Sequence, residues 1–142
     1  MLMESPGPKV SQTGFVSADN PDGTAENMSC LLKLAGLSRD RVLLWNIFPW
    51  QLGAQHVMVP GDDHLREAAS ATLELLSILP ALKVVVLVGG RAAKGWMYVE
   101  PLLVPLPAVL KCPHPSPVNI GPRPEAAALN LSVPGQARQR CT

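Results

Sequence analysis

A histidine held between prolines is the feature of this sequence best suited to chemistry. His114 lies in the run Cys112–Pro117 (Cys-Pro-His-Pro-Ser-Pro), which directly follows an apolar stretch that predicts a strand. Because each proline fixes its own backbone torsion φ, the loop is stiff and holds the imidazole in place. A hydrogen-bond donor preorganised in a dry pocket stabilises a developing negative charge by about 3–4 kcal/mol. The run therefore indicates a site.

Two further polar side chains lie where apolar runs end. Glu4 opens the turn-rich stretch Glu4–Pro8, and Asn46 closes the stretch Leu43–Asn46. A carboxylate can position or deprotonate a water molecule, and an amide side chain offers a hydrogen-bond acceptor and donors on one rigid group. If the apolar runs are parallel strands, Glu4, Asn46 and His114 meet at one edge of the sheet.

The elements that must position these side chains alternate between strand and helix. Apolar runs without polar alternation predict strands covered on both faces, and the stretch 84–88 is the clearest of them. Capping residues and helical spacing predict the intervening helices. The predicted order is a strand at 2–3, a loop to Gly23, a helix capped by Asp22 or Thr24 and ended by Gly36, a strand at 42–45, a loop at 49–61, a helix from Asp62 or Asp63 to Pro80, a strand at 84–88, a helix entered through 89–93 and a strand at 106–110.

This alternation predicts an α/β fold with a parallel sheet. Ligands of such sheets bind beyond the carboxyl ends of the strands, where Glu4, Asn46 and His114 fall. A chain of 142 residues is long enough for one core, and we expect a single domain at 1–125. Periodicity fades after Gly121, so residues 126–142 are expected to form a disordered tail, most clearly from Pro134 onward.

Composition narrows the class of protein. With 47% hydrophobic and 16% charged residues the chain is typical of globular proteins, and its apolar stretches are too short for a signal peptide or a membrane span. We therefore expect a cytoplasmic protein. Three scattered cysteines argue against a disulfide framework and a four-thiolate metal site. Residues 1–83 carry a net charge of −3 and residues 84–142 a net charge of +4, a weak indication of nucleic-acid binding by the half that holds His114.

Together the motifs resemble the uracil-DNA glycosylase superfamily, most closely its small bacterial members related to the family 4 enzymes. The resemblance covers residues 2–120, and its most specific part is His114–Pro117. Glu4–Gly7 is similar to the first family motif, Phe15 to the stacking aromatic and Asn46 to the base-reading asparagine. The resemblance implies a three-layer α/β/α sandwich around a four-stranded parallel sheet. It also implies hydrolysis of the bond between uracil and deoxyribose in DNA, without a cofactor or metal.

The resemblance also implies a role for each motif. The catalytic pair is Glu4 and His114: His114 hydrogen-bonds the uracil O2 atom as negative charge builds there, and Glu4 positions or deprotonates water and stabilises the sugar cation. The amide of Asn46 matches the N3–H and O4 groups of a flipped uracil and mismatches the amino group of cytosine. The other expected substrate-binding residues are Ser5, Gly7 and Phe15, and the expected DNA-binding residues are Arg91, Lys94, Lys111, Ser116 and Val118, with Val118 as the wedge in the base stack.

Departures from the family pattern keep alternatives open. Ser5 stands where the best-known branch has an aspartate, so the identity of the water-activating group is open. The chain begins inside the first strand, so we expect it to be short at the amino terminus, and it lacks the cysteines for an iron–sulfur cluster. The leading prediction is a monomeric, monofunctional uracil-DNA glycosylase that needs no protein partner. The alternatives are a catalytically impaired DNA-binding relative and a glycosylase for other deaminated bases.

Overall fold

A computed structural model describes residues 1–7, 9–50 and 61–141, with the side chain of Ser11 excepted. Pro8 of the first motif and most of the predicted 49–61 loop lie outside the described residues. Strand and helix alternate as predicted. The elements are β1 (Leu2–Met3), α1 (Val10–Thr13), α2 (Gly23–Leu34), β2 (Trp45–Asn46), α3 (Asp62–Ser77), β3 (Val84–Val88), α4 (Gly90–Val99), β4 (Ala108–Cys112), α5 (Pro117–Ile120) and α6 (Pro124–Cys141), with 3-10 turns at Arg39–Arg41 and Glu100–Leu102.

The four strands form one parallel sheet in the order β2-β1-β3-β4. The chain leaves β1 toward one edge of the sheet and later returns to add β3 and β4 on the other side. The order therefore reverses beside β1, and the crevice beyond the carboxyl ends of β1 and β3 is where open α/β sheets bind ligands. The residues that follow these two strands are Glu4 and Gly89.

Helices cover both faces of the sheet, which confirms the three-layer α/β/α architecture. On one face Leu2, Val85 and Leu87 pack with apolar residues of α3 and α4, and on the other Val86 and Val88 pack with residues of α2 and α6. Because successive side chains of a strand point to opposite faces, an unbroken apolar run such as Val84–Val88 serves both cores.

Two strands differ in position from the prediction. β4 spans Ala108–Cys112 rather than 106–110, because Pro105 and Pro107 have no backbone N–H to give to the ladder; the first bond is donated by Ala108 N to Lys83 O at 2.9 Å. β2 is confined to Trp45–Asn46 rather than 42–45, since its partner β1 is equally short.

The carboxyl-terminal segment is ordered, and the predicted disorder of 126–142 is wrong for the residues described there. Helix α6 runs to Cys141 and buries Ala126, Val133 and Ala137, the last two in the core of one sheet face. At its end, Arg41 and Lys83 donate to the Cys141 carbonyl at 2.9 and 3.3 Å. Tertiary contacts thus outweigh the poor local helix propensity of Pro134 and Gly135.

None of the helices described in the structure is both long and apolar enough to cross a membrane.

Candidate active site

A cavity of about 520 Å³ lies at the carboxyl edge of the sheet and is here called the inner cavity. It opens between the loop after β1, the start of α2 and the loop after β4. Five of the residues that the sequence singles out line it: Glu4, Ser5, Gly7, Asn46 and His114. The three polar motifs, which are separated by up to 110 positions in the chain, are therefore neighbours in the fold.

His114 is held in the tautomer that leaves Nε2 as a donor. The backbone N–H of Ser116 donates to His114 Nδ1 at 3.3 Å, so the proton of a neutral ring resides on Nε2. Burial lowers the pKa of His114 below its ordinary value of 6.5, and the nearby negative charges of Glu4 and Asp22 oppose this shift only in part. The imidazole is therefore neutral near pH 7 and can donate through Nε2.

The backbone of Asn46 is held by its pairing with Met3 of β1. The next two residues continue the contact between β2 and the loop after β1: Ile47 N donates to Met3 O at 2.8 Å and Phe48 N to Glu4 O at 2.9 Å. Asn46 is only 3% exposed, and its side-chain amide makes no hydrogen bond with the part of the chain that the structure describes. Its hydrogen-bonding groups are thus available to a ligand in the inner cavity.

A second cavity of about 660 Å³, here called the outer cavity, adjoins the first. Glu4 and His114 line both cavities and so form the boundary between them. The outer cavity also carries Arg91, Lys94 and Arg123. Its lining also includes the carboxylates of Glu4 and Glu125, so basic side chains exceed acidic ones there by one.

The basic residues of the outer cavity were only partly foreseen. Arg91 and Lys94 are sequence-predicted, and Lys94 forms an ion pair with Asp62 at the start of α3, which lowers the pKa of that carboxyl. Arg123 was missed. It is exposed in the segment between α5 and α6, nine residues after His114, and the excess of basic residues in this half of the chain was its one available signal.

Four predicted residues do not line either cavity. Phe15 follows the left-handed Gly14 that ends α1, and the residue is 62% exposed; the adjacent Val16 lines the inner cavity instead. Ser116 contributes its backbone N–H to His114, while Lys111 is exposed on β4. Val118 is 83% exposed on α5 and lines neither cavity.

Asp22 is a second carboxylate in the inner cavity that sequence reasoning treated as a helix cap alone. It does cap α2, because its Oδ1 accepts from Ala25 N at 2.9 Å, and it also lines the cavity wall. The other polar residues contributed by the 4–24 segment are Lys9, Ser17, Asn20 and Thr24.

Within the described ranges, no three His, Cys, Asp or Glu side chains are grouped so as to hold a metal ion. Cys30, Cys112 and Cys141 are free thiols, and burial raises the pKa of Cys112 to about 11. The boundary of the two cavities carries the neutral imidazole of His114 and the side chain of Glu4, and the inner cavity adds the Asn46 amide and Asp22.

Comparison with known families places this site in a matched region. The sequence model described as the uracil DNA glycosylase superfamily matches residues 3–131, which include Glu4, Asn46 and His114. No curated protein matches the chain significantly.

Proposed function

Because the chain belongs to the uracil DNA glycosylase superfamily, we propose that it is an active glycosylase that releases uracil from DNA and leaves an abasic site. The observation that carries the proposal is the position of Glu4 and His114 on the boundary between two cavities. One cavity holds the amide of Asn46, and the other is lined by three basic side chains. An enzyme that extrudes a base needs a pocket for the base on one side of the scissile bond and a surface for the backbone on the other.

The inner cavity suits a flipped pyrimidine. The Asn46 amide can accept from uracil N3–H and donate to O4, whereas cytosine presents an amino group where O4 would be. Val16, Met28 and Leu44 supply apolar wall. A base bound there leaves its glycosidic bond near Glu4 and His114, the two residues shared with the outer cavity.

Cleavage of the glycosidic bond places opposite charges on the two products. The bonding electron pair leaves with the base, so negative charge develops on uracil and positive charge on the sugar. The neutral His114 donates through Nε2 to the uracil O2 atom, while the Glu4 carboxylate stabilises the sugar cation. Water then adds to C1′ and Glu4 takes up its proton, which leaves an abasic sugar and the free base.

The outer cavity is proposed to hold the DNA backbone. Arg91, Lys94 and Arg123 lie on its wall, and such side chains bind phosphate oxygens without reading sequence. The exposed Val118 is available to enter the space that the flipped base leaves. The substrate is thus uracil within a DNA strand, rather than free deoxyuridine.

Release of another deaminated base is the second candidate, and the wall of the inner cavity favours it. The described residues that line this cavity include no Phe, Tyr or Trp, and the space in front of Gly7 is open, since a Cβ atom there would meet nothing within 4 Å. Hypoxanthine presents an N–H donor beside a carbonyl acceptor, as uracil does, so the Asn46 amide can pair with either base.

A panel of oligonucleotides separates these functions. Strands with a single uracil, hypoxanthine, thymine or cytosine are incubated with the parent protein and with Asn46→Ala, and free base is quantified. The proposal expects uracil release by the parent and a loss of about 10-fold or more in the variant, since the site is left without its polar reader. Release of hypoxanthine alone would establish the second candidate, and salt-dependent binding without any release would identify a non-catalytic relative.

A further inference from the structure

We propose that Asn27 is a positioning residue for His114, through which helix α2 holds the loop that carries the imidazole. The inference rests on the proposed function, since the role of His114 in base release is part of it. Asn27 lies outside both cavities and belongs to none of the motifs that the sequence singles out.

A long-range hydrogen bond carries the proposal. Asn27 Nδ2 donates to the carbonyl oxygen of Pro115 at 2.7 Å, between residues 88 positions apart. Pro115 directly follows His114 and is among the most completely buried residues of the protein. The carbonyl of this buried residue needs a hydrogen-bond donor, and the amide of Asn27 supplies it. Asn27 is half-buried, so water competes weakly for the same carbonyl.

The first turn of α2 touches the same loop on the other side of Ser116. A Cβ atom on Gly23 would lie 2.9 Å from Pro117 Cγ, so the helix backbone rests directly against the proline ring. Helix α2 therefore contacts the loop at Pro115 and again at Pro117. Ser116, held between these two contacts, gives its N–H to His114 Nδ1.

The consequence is a continuous path from α2 to the imidazole. Asn27 holds the carbonyl of Pro115, and this carbonyl shares one planar peptide group with the N–H of Ser116. That N–H in turn donates to His114 Nδ1 and selects the tautomer of the imidazole. The charges that act on the pKa of His114 are those of Glu4, from the loop after β1, and Asp22, which caps α2 itself, while Arg91, Lys94, Arg123 and Glu125 lie farther along the outer cavity. Loss of the Asn27 bond releases the loop, so that the imidazole loses its Nδ1 partner and gains contact with water.

The kinetic test compares the parent with Asn27→Ala and with Asn27→Asp, which keeps the shape but has no N–H to donate when ionised. Each variant is expected to lower kcat for uracil release about 3- to 10-fold, the loss of one hydrogen bond, with little change in KM. Glu26→Ala, at an exposed neighbouring position of α2, is the matched control and should behave as the parent. The Asn27→Ala effect should vanish in a His114→Ala background. An equal loss in that background would overturn the proposal, since the effect would not act through His114.

A second readout does not depend on activity. The imidazole signals are followed by NMR as a function of pH, and His114→Ala identifies the signal of His114 among those of His56 and His64. In Asn27→Ala, which adds no charge near the imidazole, the titration midpoint of His114 is expected to move up toward 6.5, the ordinary value. An unchanged midpoint in folded Asn27→Ala would refute the anchoring role. If the midpoint moves but the parent releases no base, the anchor stands and the proposed function fails.

Discussion

Gly89 faces His114 so closely that a Cβ atom on Gly89 would lie 3.3 Å from the Cβ atom of His114. Gly89 also has a φ of +89°, a conformation that favours glycine, and its N–H donates to Cys112 O at 2.8 Å. The end of β3 and the loop after β4 that carries His114 thus meet at a position where a side chain would be too tightly packed. The tight turn into α4 is therefore part of what sets the place of the imidazole.

Gly89→Ala should both destabilise the protein and impair base release. With φ +89° and ψ 163°, Gly89 lies in a backbone region that is nearly exclusive to glycine, so an alanine there costs about 1–3 kcal/mol. Its methyl group would also displace His114 by a few tenths of an ångström. Thermal unfolding and uracil release measure the two effects. Gly90→Ala is the control for stability, since a Cβ atom there meets nothing within 4 Å. Equal stability of the two variants would show that Gly89 is not constrained as described.

Gly95→Ala should disturb the strand β2, which carries Asn46. A Cβ atom on Gly95 would overlap with the side chain of Ile47, which is completely buried directly after Asn46. Overpacking of this kind costs about 1–3 kcal/mol and displaces backbone. We expect lower stability in denaturant unfolding and weaker uracil release. Combining the change with Ile47→Ala should cost less than the sum of the two single changes, and strict additivity would show that the residues do not touch.

The stability of the protein should fall on acidification partly through His114. Burial lowers the folded-state pKa of His114 below 6.5, so the unfolded chain binds the proton more readily. The free energy of unfolding therefore has its full value above pH 6.5 and decreases as the pH falls through 6.5 toward the folded-state pKa. Urea unfolding at about pH 7.5 and about pH 5 should show a smaller decrease in His114→Ala than in the parent. The same decrease in both proteins would mean that His114 is not the group responsible.

Arg123 should contribute to DNA affinity but not to bond cleavage. Arg123 lies on the wall of the outer cavity. The loss of one phosphate contact makes the plot of log binding constant against log salt concentration less steep by about 1. Binding of Arg123→Ala to a short single-stranded oligonucleotide should thus be weaker and less sensitive to salt. Arg140→Ala removes the same charge near the end of α6, beside a different cavity, and should leave both quantities unchanged. If Arg123→Ala had the same salt dependence of binding as the parent, Arg123 would not contact DNA.

The parts of the fold that sequence could predict are those with a strong local signal. Val84–Val88 is an unbroken apolar run and is the strand that the structure shows, residue for residue. Glu4, Asn46 and His114 each follow such a run, and parallel strand pairing then brings them to one edge of the sheet. Here local pattern and topology agree, so the prediction succeeds.

The remainder depends on contacts that no local pattern records. Helix α6 contains Pro134 and Gly135 and is stabilised by burial against the sheet and by Arg41 and Lys83 at its end. Phe15 was expected in the cavity but lies outside it, after the left-handed turn at Gly14 that ends α1. Asn27 is unremarkable in sequence, since its partner lies 88 residues away.

The most direct test of the central claim is release of free uracil from a labelled single-stranded oligonucleotide that contains one deoxyuridine. The parent protein is compared with His114→Ala, and DNA binding and circular dichroism are measured on both. The account predicts release by the parent, a loss of about 100-fold or more in the variant, and nearly equal DNA affinity. No release by a folded parent protein, or equal release by His114→Ala, would contradict it.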